Sequence, residues 1–247
     1  MDEVTVEVDA GVAVVEMHRP PANFFDEVLL AAIADAVGVL GNDARVRAIV
    51  LCSEGKHFCA GADLRGMGAD GIRRVYVQAH RLFTGRQPIV AAVQGSAVGG
   101  GLGLAMAADF RVAAPNARLT ANFARLGFHQ GFGLSVTLPR AVGQQRALDM
   151  LYTGRNVSGE EGLNFGLCDR VSPDPRTAAI EFARVLAESA PLSVAAIRAT
   201  MRGELASQVR AALHVEAAAQ AELLDTADFR EGLDAAVNRR APTFVGS

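Results

Sequence analysis

Residues 99 to 103 read Gly99-Gly100-Gly101-Leu102-Gly103 and run directly into Leu104-Ala105-Met106-Ala107-Ala108. Glycines let a ligand come close to the main chain, and a helix opening there aims unpaired N–H groups and the positive end of its dipole at whatever sits before it. That arrangement suits an anion. The same glycines also suit close helix packing in a crowded core, and alone they do not decide between the two. Two phosphate cradles are excluded by spacing. No third glycine follows Gly101 at the dinucleotide offset, five residues separate the apolar run Ile89–Val93 from Gly99, and no Gly-Lys-Ser/Thr follows. A second small-residue loop, His57-Phe58-Cys59-Ala60-Gly61-Ala62-Asp63-Leu64, comes after the β-branched run Val46–Cys52. If these runs are successive parallel strands, both loops emerge at one sheet edge, where open α/β sheets bind ligands. One N–H donor from each loop would make an oxyanion hole.

Side chains able to move a proton are few. His129, in Leu126-Gly127-Phe128-His129-Gln130-Gly131, is a candidate because histidine is the side chain most suited to proton transfer, or it is a loop histidine that packs or faces solvent. Tyr76 and His80, one helical turn apart, read first as core residues and second as catalytic candidates. No HExxH and no Cys/His spacing supports a metal site. Gly133-Leu134-Ser135-Val136-Thr137 lacks the last glycine of a nucleophile elbow. Cys59, beside a proposed donor, is expected to pack rather than react.

The elements that would carry these loops follow from periodicity. Val4–Val8 and Val12–Met17 alternate around Asp9-Ala10-Gly11 and form a hairpin. Asp26–Leu40 repeats Leu29, Ile33, Val37 and Leu40 at helical spacing, and a second helix spans about Gly71–Phe83. Asp109–Ala113 and Arg118–Thr120 read as short strands around Pro115-Asn116. From Gln144 the pattern is helical. Capping boxes are expected at Ser158 with Glu161 and at Asp228 with Glu231, and helices at Thr177–Glu188, Leu192–Arg202 and Ser207–Leu224. Gln87–Ala108 holds no charge and is long enough to span a bilayer, but its proline and five glycines divide it into a strand, a turn and a buried helix.

Composition sets the class. With 24 Lys+Arg against 27 Asp+Glu, a net charge of −3 and 50% apolar residues, the 247-residue chain is a core-forming globular protein. Near-neutral charge without a basic block argues against nucleic acid, and no membrane-surface helix is required. Three cysteines without a CxxC point to reduced thiols and a cytoplasmic setting. The acidic start, Met1-Asp2-Glu3-Val4, lacks the features of a signal peptide.

Cys59-Ala60-Gly61-Ala62-Asp63-Leu64, Pro88-Ile89-Val90-Ala91-Ala92-Val93-Gln94-Gly95, Gly99-Gly100-Gly101 and Ala107-Ala108-Asp109 together resemble the crotonase superfamily, the enoyl-CoA hydratase/isomerase group. Arg19-Pro20 with Asn23, Arg140-Ala141-Val142-Gly143, Thr153-Gly154 and Asp228-Phe229-Arg230-Glu231-Gly232-Leu233 extend the likeness over nearly the whole chain. The resemblance implies an α/β fold: a β/β/α spiral core, here residues 1–190, and a helical C-terminal trimerisation region, 191–247, with a homotrimer or a dimer of trimers. It implies lyase or isomerase chemistry on an acyl-CoA thioester, coenzyme A entering only as part of the substrate. By position, the N–H groups of Ala62 and Gly100 would hold the thioester oxygen as an enolate forms. Ala22, Ala60, Gly61, Asp63 and Leu64 would line the CoA end, and Phe123 the acyl pocket.

The chain also departs from that family. Relatives that hydrate enoyl-CoA carry one glutamate three residues past the second glycine of the triplet and another twenty further on; here those positions are Gly103 and Phe123. General acid/base assistance is worth on the order of 10² to 10⁴ in rate per group, so efficient hydration is not expected. His129 is the candidate substitute. Two functions stay open: an enzyme that polarises the thioester, and a non-catalytic acyl-CoA-binding protein.

Overall fold

The structure is a computed structural model and describes residues 3–64 and 66–247. The chain opens with a hairpin, β1 (Val4–Asp9) and β2 (Val12–Met17), then α1 (Glu27–Leu40), β3 (Ala48–Ser53), α2 (Ala69–Phe83) and β4 (Ile89–Val93). Next come β5 (Ser96–Val98), α3 (Gly100–Ala107), β6 (Phe110–Ala113), β7 (Arg118–Thr120), a 3-10 turn (Phe123–Leu126), α4 (Leu134–Val142) and α5 (Gln144–Thr153). The remainder is β8 (Asn156–Val157), α6 (Gly159–Asn164), β9 (Arg170–Val171), α7 (Pro175–Ala187), α8 (Pro191–Leu223) and α9 (Ala227–Asn238).

Two sheets form. The larger has the order β1-β2-β3-β4-β6-β9, antiparallel in the hairpin and parallel from β2 onward; the smaller has the order β5-β7-β8. Every residue of β3 and β4 is buried, because both sheet faces are covered and alternate side chains serve different layers. Ile49, Leu51, Ala91 and Val93 join the main core with α1 and α2. Ala48, Val50, Val90 and Ala92 face Ala179, Phe182 and Ala183 of α7. The uncharged stretch from Gln87 to Ala108 is therefore β4, β5 and α3, and among the described residues no helix is long and apolar enough to cross a membrane.

Helix ends follow local chemistry. The Asp26 side chain accepts from Leu29 N at 2.9 Å and starts α1, and Ser158 accepts from Glu161 N at 3.0 Å and starts α6. The expected box at Asp228 and Glu231 is not what starts α9. Thr226 caps it, accepting from Phe229 N at 3.1 Å. The Asp228 carboxylate instead accepts from Val245 N and Gly246 N, and Glu231 from Thr243 N, so both pin the C-terminal segment. Leu192–Arg202 and Ser207–Leu224 are one continuous helix, α8. Gly203 between them has open space around it, and a helical glycine costs only about 1 kcal/mol.

Candidate functional site

The two glycine-bearing loops meet where β4 and the small sheet diverge. Asn23, fully buried, fixes the approach to the first: its Nδ2 donates to Glu54 O at 2.9 Å and to His57 O at 2.7 Å, and its Oδ1 accepts from Arg19 N. Cys59 N donates to Ser96 O, and Val98 N to Cys59 O, which zips the loop against β5. Phe25 then pairs with the loop: Phe25 N donates to Gly61 O at 3.0 Å and Asp63 N to Phe25 O at 2.8 Å. Since Gly61 and Asp63 turn their polar groups toward Phe25, the intervening Ala62 N–H faces the opposite side.

On that side lies α3. Its first internal bond runs from Gly103 N to Gly99 O, so the Gly100 N–H stands at the helix start without an intrahelical acceptor. A Cβ placed on Gly100 would lie 3.7 Å from Ala62 N, which brings the two amides together. Among the described residues neither N–H donates to a protein acceptor. The glycines serve packing and approach at once. A Cβ on Gly100 would come within 2.6 Å of Phe25 Cζ, and one on Gly101 within 2.0 Å of Cys59 O.

Both amides border a cavity of about 510 Å³. One wall is Ala60, Gly61, Ala62, Asp63 and Leu64; another is aromatic, with Phe25, Phe123, Phe128 and Phe132; the C-terminal helices add Gln220, Leu233, Ala236 and Val237. Of the residues singled out from the sequence, Ala60, Gly61, Ala62, Asp63, Leu64, Gly100 and Phe123 are thus brought to one cavity. Ala22 is not on its wall: its carbonyl accepts from Ala60 N at 2.9 Å and supports the loop from behind.

His129 also departs from expectation. It does not line the cavity, and its Nδ1 lies 2.8 Å from Gln130 O. The carbonyl, not the ring, faces inward, accepting from Gln220 Nε2 at 2.8 Å. The ring instead turns back on its own main chain through that contact with Gln130 O. Nor does His80 reach the cavity; its Nε2 lies 3.1 Å from Ala206 O on α8. Tyr76 does. Its hydroxyl donates to Gln220 Oε1 at 2.7 Å, and burial pushes the phenol well above its ordinary range, so it stays neutral. Cys59 is inert for the same reason, its thiol pushed up to about 12 by burial.

Gly103 sits behind the wall. A Cβ there would lie 2.4 Å from Phe132 Cβ, so that ring fills the space a longer side chain would need. Phe132 packs edge-on against Phe25, ring centroids 5.4 Å apart. Asp63 and Tyr76 are the ionisable side chains on the described cavity wall, and Asp63 also borders a groove outside it.

The residues that sequence reasoning missed lie on α8 and α9. Glu216 and Gln220 interrupt an apolar stripe of Val209, Leu213 and Ala217, which is the one signal that marked them. Glu216 is fully buried and accepts from Gly133 N at 2.8 Å and Ser135 N at 3.0 Å, holding the start of α4 and with it the Phe132 loop. Burial raises its carboxyl above the ordinary 4.5. Its protonated form therefore favours the fold: that contribution is complete below the ordinary glutamate range and is lost as pH rises through the raised value. Glu216→Ala leaves the buried Gly133 N–H and the part-buried Ser135 N–H without their acceptor, and an expected loss of about 1–3 kcal/mol is read by urea unfolding at neutral pH. A change within about 0.5 kcal/mol would show that water replaces the carboxylate at no cost.

Comparison with known proteins agrees with this architecture. The sequence model of the Enoyl-CoA hydratase/isomerase family matches residues 7–247. A probable enoyl-CoA hydratase of Bacillus subtilis is 33% identical, with 100% of each chain covered. An (E)-benzylidenesuccinyl-CoA hydratase of Thauera aromatica is 35% identical, with 99% of each covered. The crystal structure of an enoyl-CoA hydratase/isomerase from Pseudoalteromonas atlantica superposes with a TM-score of 0.89 at 31% identity, covering 99% of this chain and 100% of that one. The two sheets and the C-terminal helices are the crotonase fold. With a match running from the first strand to the last residue, the chain belongs to the enoyl-CoA hydratase/isomerase family.

Proposed function

We propose that this protein binds an acyl-CoA thioester in the 510 Å³ cavity and polarises its carbonyl with the N–H groups of Ala62 and Gly100. One observation carries the reading: two neighbouring backbone donors, without a protein acceptor among the described residues, open onto an apolar cavity. A donor pair that no protein group occupies at a cavity wall is free to meet a ligand oxygen. Both donors are main-chain groups fixed by flanking hydrogen bonds, so they need not reorganise as charge grows on the oxygen. The positive end of α3 adds to the effect.

Hydration of a 2-enoyl-CoA is not part of this function. Family likeness puts the hydratase glutamates at Gly103 and Phe123, and the ring of Phe132 fills the space at the first. His129 lies outside the cavity and is assigned no proton transfer. Binding without turnover is the second reading, favoured by a cavity wall on which Tyr76 is a neutral, already hydrogen-bonded phenol. A trimer or a pair of stacked trimers, and a cytoplasmic setting, belong to the same proposal through the family likeness.

Crotonyl-CoA mixed with the protein is expected to keep its conjugated thioester absorbance. A decay corresponding to kcat above roughly 1 s⁻¹ would refute the proposal that hydration is lost. A panel of acyl-CoA thioesters scored by mass spectrometry for binding and for conversion separates the enzyme from the binding protein.

A further inference from the structure

The cavity wall carries three uncharged polar side chains, Tyr76, Gln220 and Asn122. The first two satisfy each other: Tyr76 donates to Gln220, and Gln220 donates to His129 O. Asn122 is different. It occupies the cap position of the 3-10 turn Phe123–Leu126, where an asparagine side chain ordinarily accepts from the N–H two or three residues on, yet it makes no such bond. The turn is closed by main chain instead, Arg125 N donating to Asn122 O at 3.0 Å. Among the described residues, the Asn122 carboxamide has no hydrogen-bond partner. It sits beside the proposed carbonyl site: Gly99 N donates to Thr120 O, and a Cβ on Gly99 would lie 3.2 Å from Asn122 Oδ1. The amide of Gly100 is the next peptide unit along, and consecutive Cα atoms are about 3.8 Å apart.

We infer that Asn122 is a specificity-determining residue that hydrogen-bonds an oxygen substituent, hydroxyl or carbonyl, on the acyl carbons nearest the thioester. This rests on the thioester reading above. A carboxamide both donates and accepts, so it serves a hydroxyl and a ketone alike. It is uncharged, so it does not call for an ionised substituent. The aromatic rings around it offer a simple alkyl chain surface but no such bond, and an oxygen at the second or third acyl carbon can span the short gap. Asn122 directly precedes Phe123, one of the positions where a hydratase glutamate is missing, so the polar contact to the acyl chain shifts by one residue and loses its charge.

The test uses the full chain and three CoA thioesters of equal length, butyryl-CoA, 3-hydroxybutyryl-CoA and 3-oxobutyryl-CoA, with affinities measured by calorimetry. The wild type is expected to bind both oxygenated thioesters about tenfold more tightly than butyryl-CoA, and Asn122→Ala to bring the three affinities to near equality. Asn122→Asp only accepts when ionised, so it is expected to retain the preference for the hydroxyl and lose that for the ketone, which a packing role would not produce. Equal affinities in the wild type, or a preference that persists in Asn122→Ala, overturns the assignment. Failure of the wild type to bind any of the three defeats the thioester reading itself and the assignment with it.

Discussion

Gly100→Pro is expected to weaken binding of a CoA-linked nitronate, which carries negative charge where a thioester enolate would, by roughly 10²-fold or more. Proline has no N–H, so the substitution removes one of the two proposed donors outright. The ring also meets an obstacle, since even a Cβ at position 100 would approach Phe25 Cζ to 2.6 Å. A variant with less steric disturbance is therefore needed beside it. Replacing the alanine at 62 or the glycine at 100 by its α-hydroxy acid turns the amide into an ester and deletes one donor while keeping the side chain. Each ester is expected to lose most of the affinity for the nitronate and far less of that for free CoA. If both esters bind the nitronate as the wild type does, the amides are not the donors.

The second large effect concerns Gly103, the position at which the proposed function places an absent carboxylate. Gly103→Glu is expected to destabilise the fold by roughly 3 kcal/mol or more, because it overpacks the core against Phe132 and leaves a charge unpaired inside it. The collision is with the first atom of the side chain, 2.4 Å from Phe132 Cβ, so no rotamer avoids it. Phe132→Gly should relieve it in part: it empties the space, and its φ of +60° is one that glycine adopts freely. Gly103→Glu with Phe132→Gly is expected to fold better than Gly103→Glu alone, as read by thermal and urea unfolding. Equal stability of the two would show that Phe132 is not what excludes a side chain at 103.

Much of this arrangement was legible in the residues. Ile89–Val93 is a strand with the bounds its β-branched run marks, and α1 begins after the acidic residue that caps it. The two donor loops do lie together, but not as successive exits from one sheet: β5 of the smaller sheet stands between β4 and Gly99, and the pairing of Cys59 with β5 is what joins them. What was not legible depends on contacts far apart in sequence. Strands of two residues, β8 and β9, are too short to show alternation and exist only because a neighbour is there to pair with. Asp228 and Glu231 have the spacing of a capping box, but the C-terminal segment offers their carboxylates N–H groups that no local pattern announces. His129 has the right chemistry in the right loop and still misses the cavity, because loop position does not fix which way a ring turns. Leu233, Ala236 and Val237 complete the cavity from a helix more than a hundred residues beyond the glycines, which only the fold brings back.

Bound butyryl-CoA carrying ¹³C at the thioester carbonyl reports on the two amides through its vibrational spectrum. Two donors on one oxygen weaken the C=O bond, so the isotope-edited band is predicted to shift to lower frequency on binding and to return part of the way in each amide-to-ester variant. A band at the frequency of the free thioester, with the ligand shown to be bound, would contradict the account.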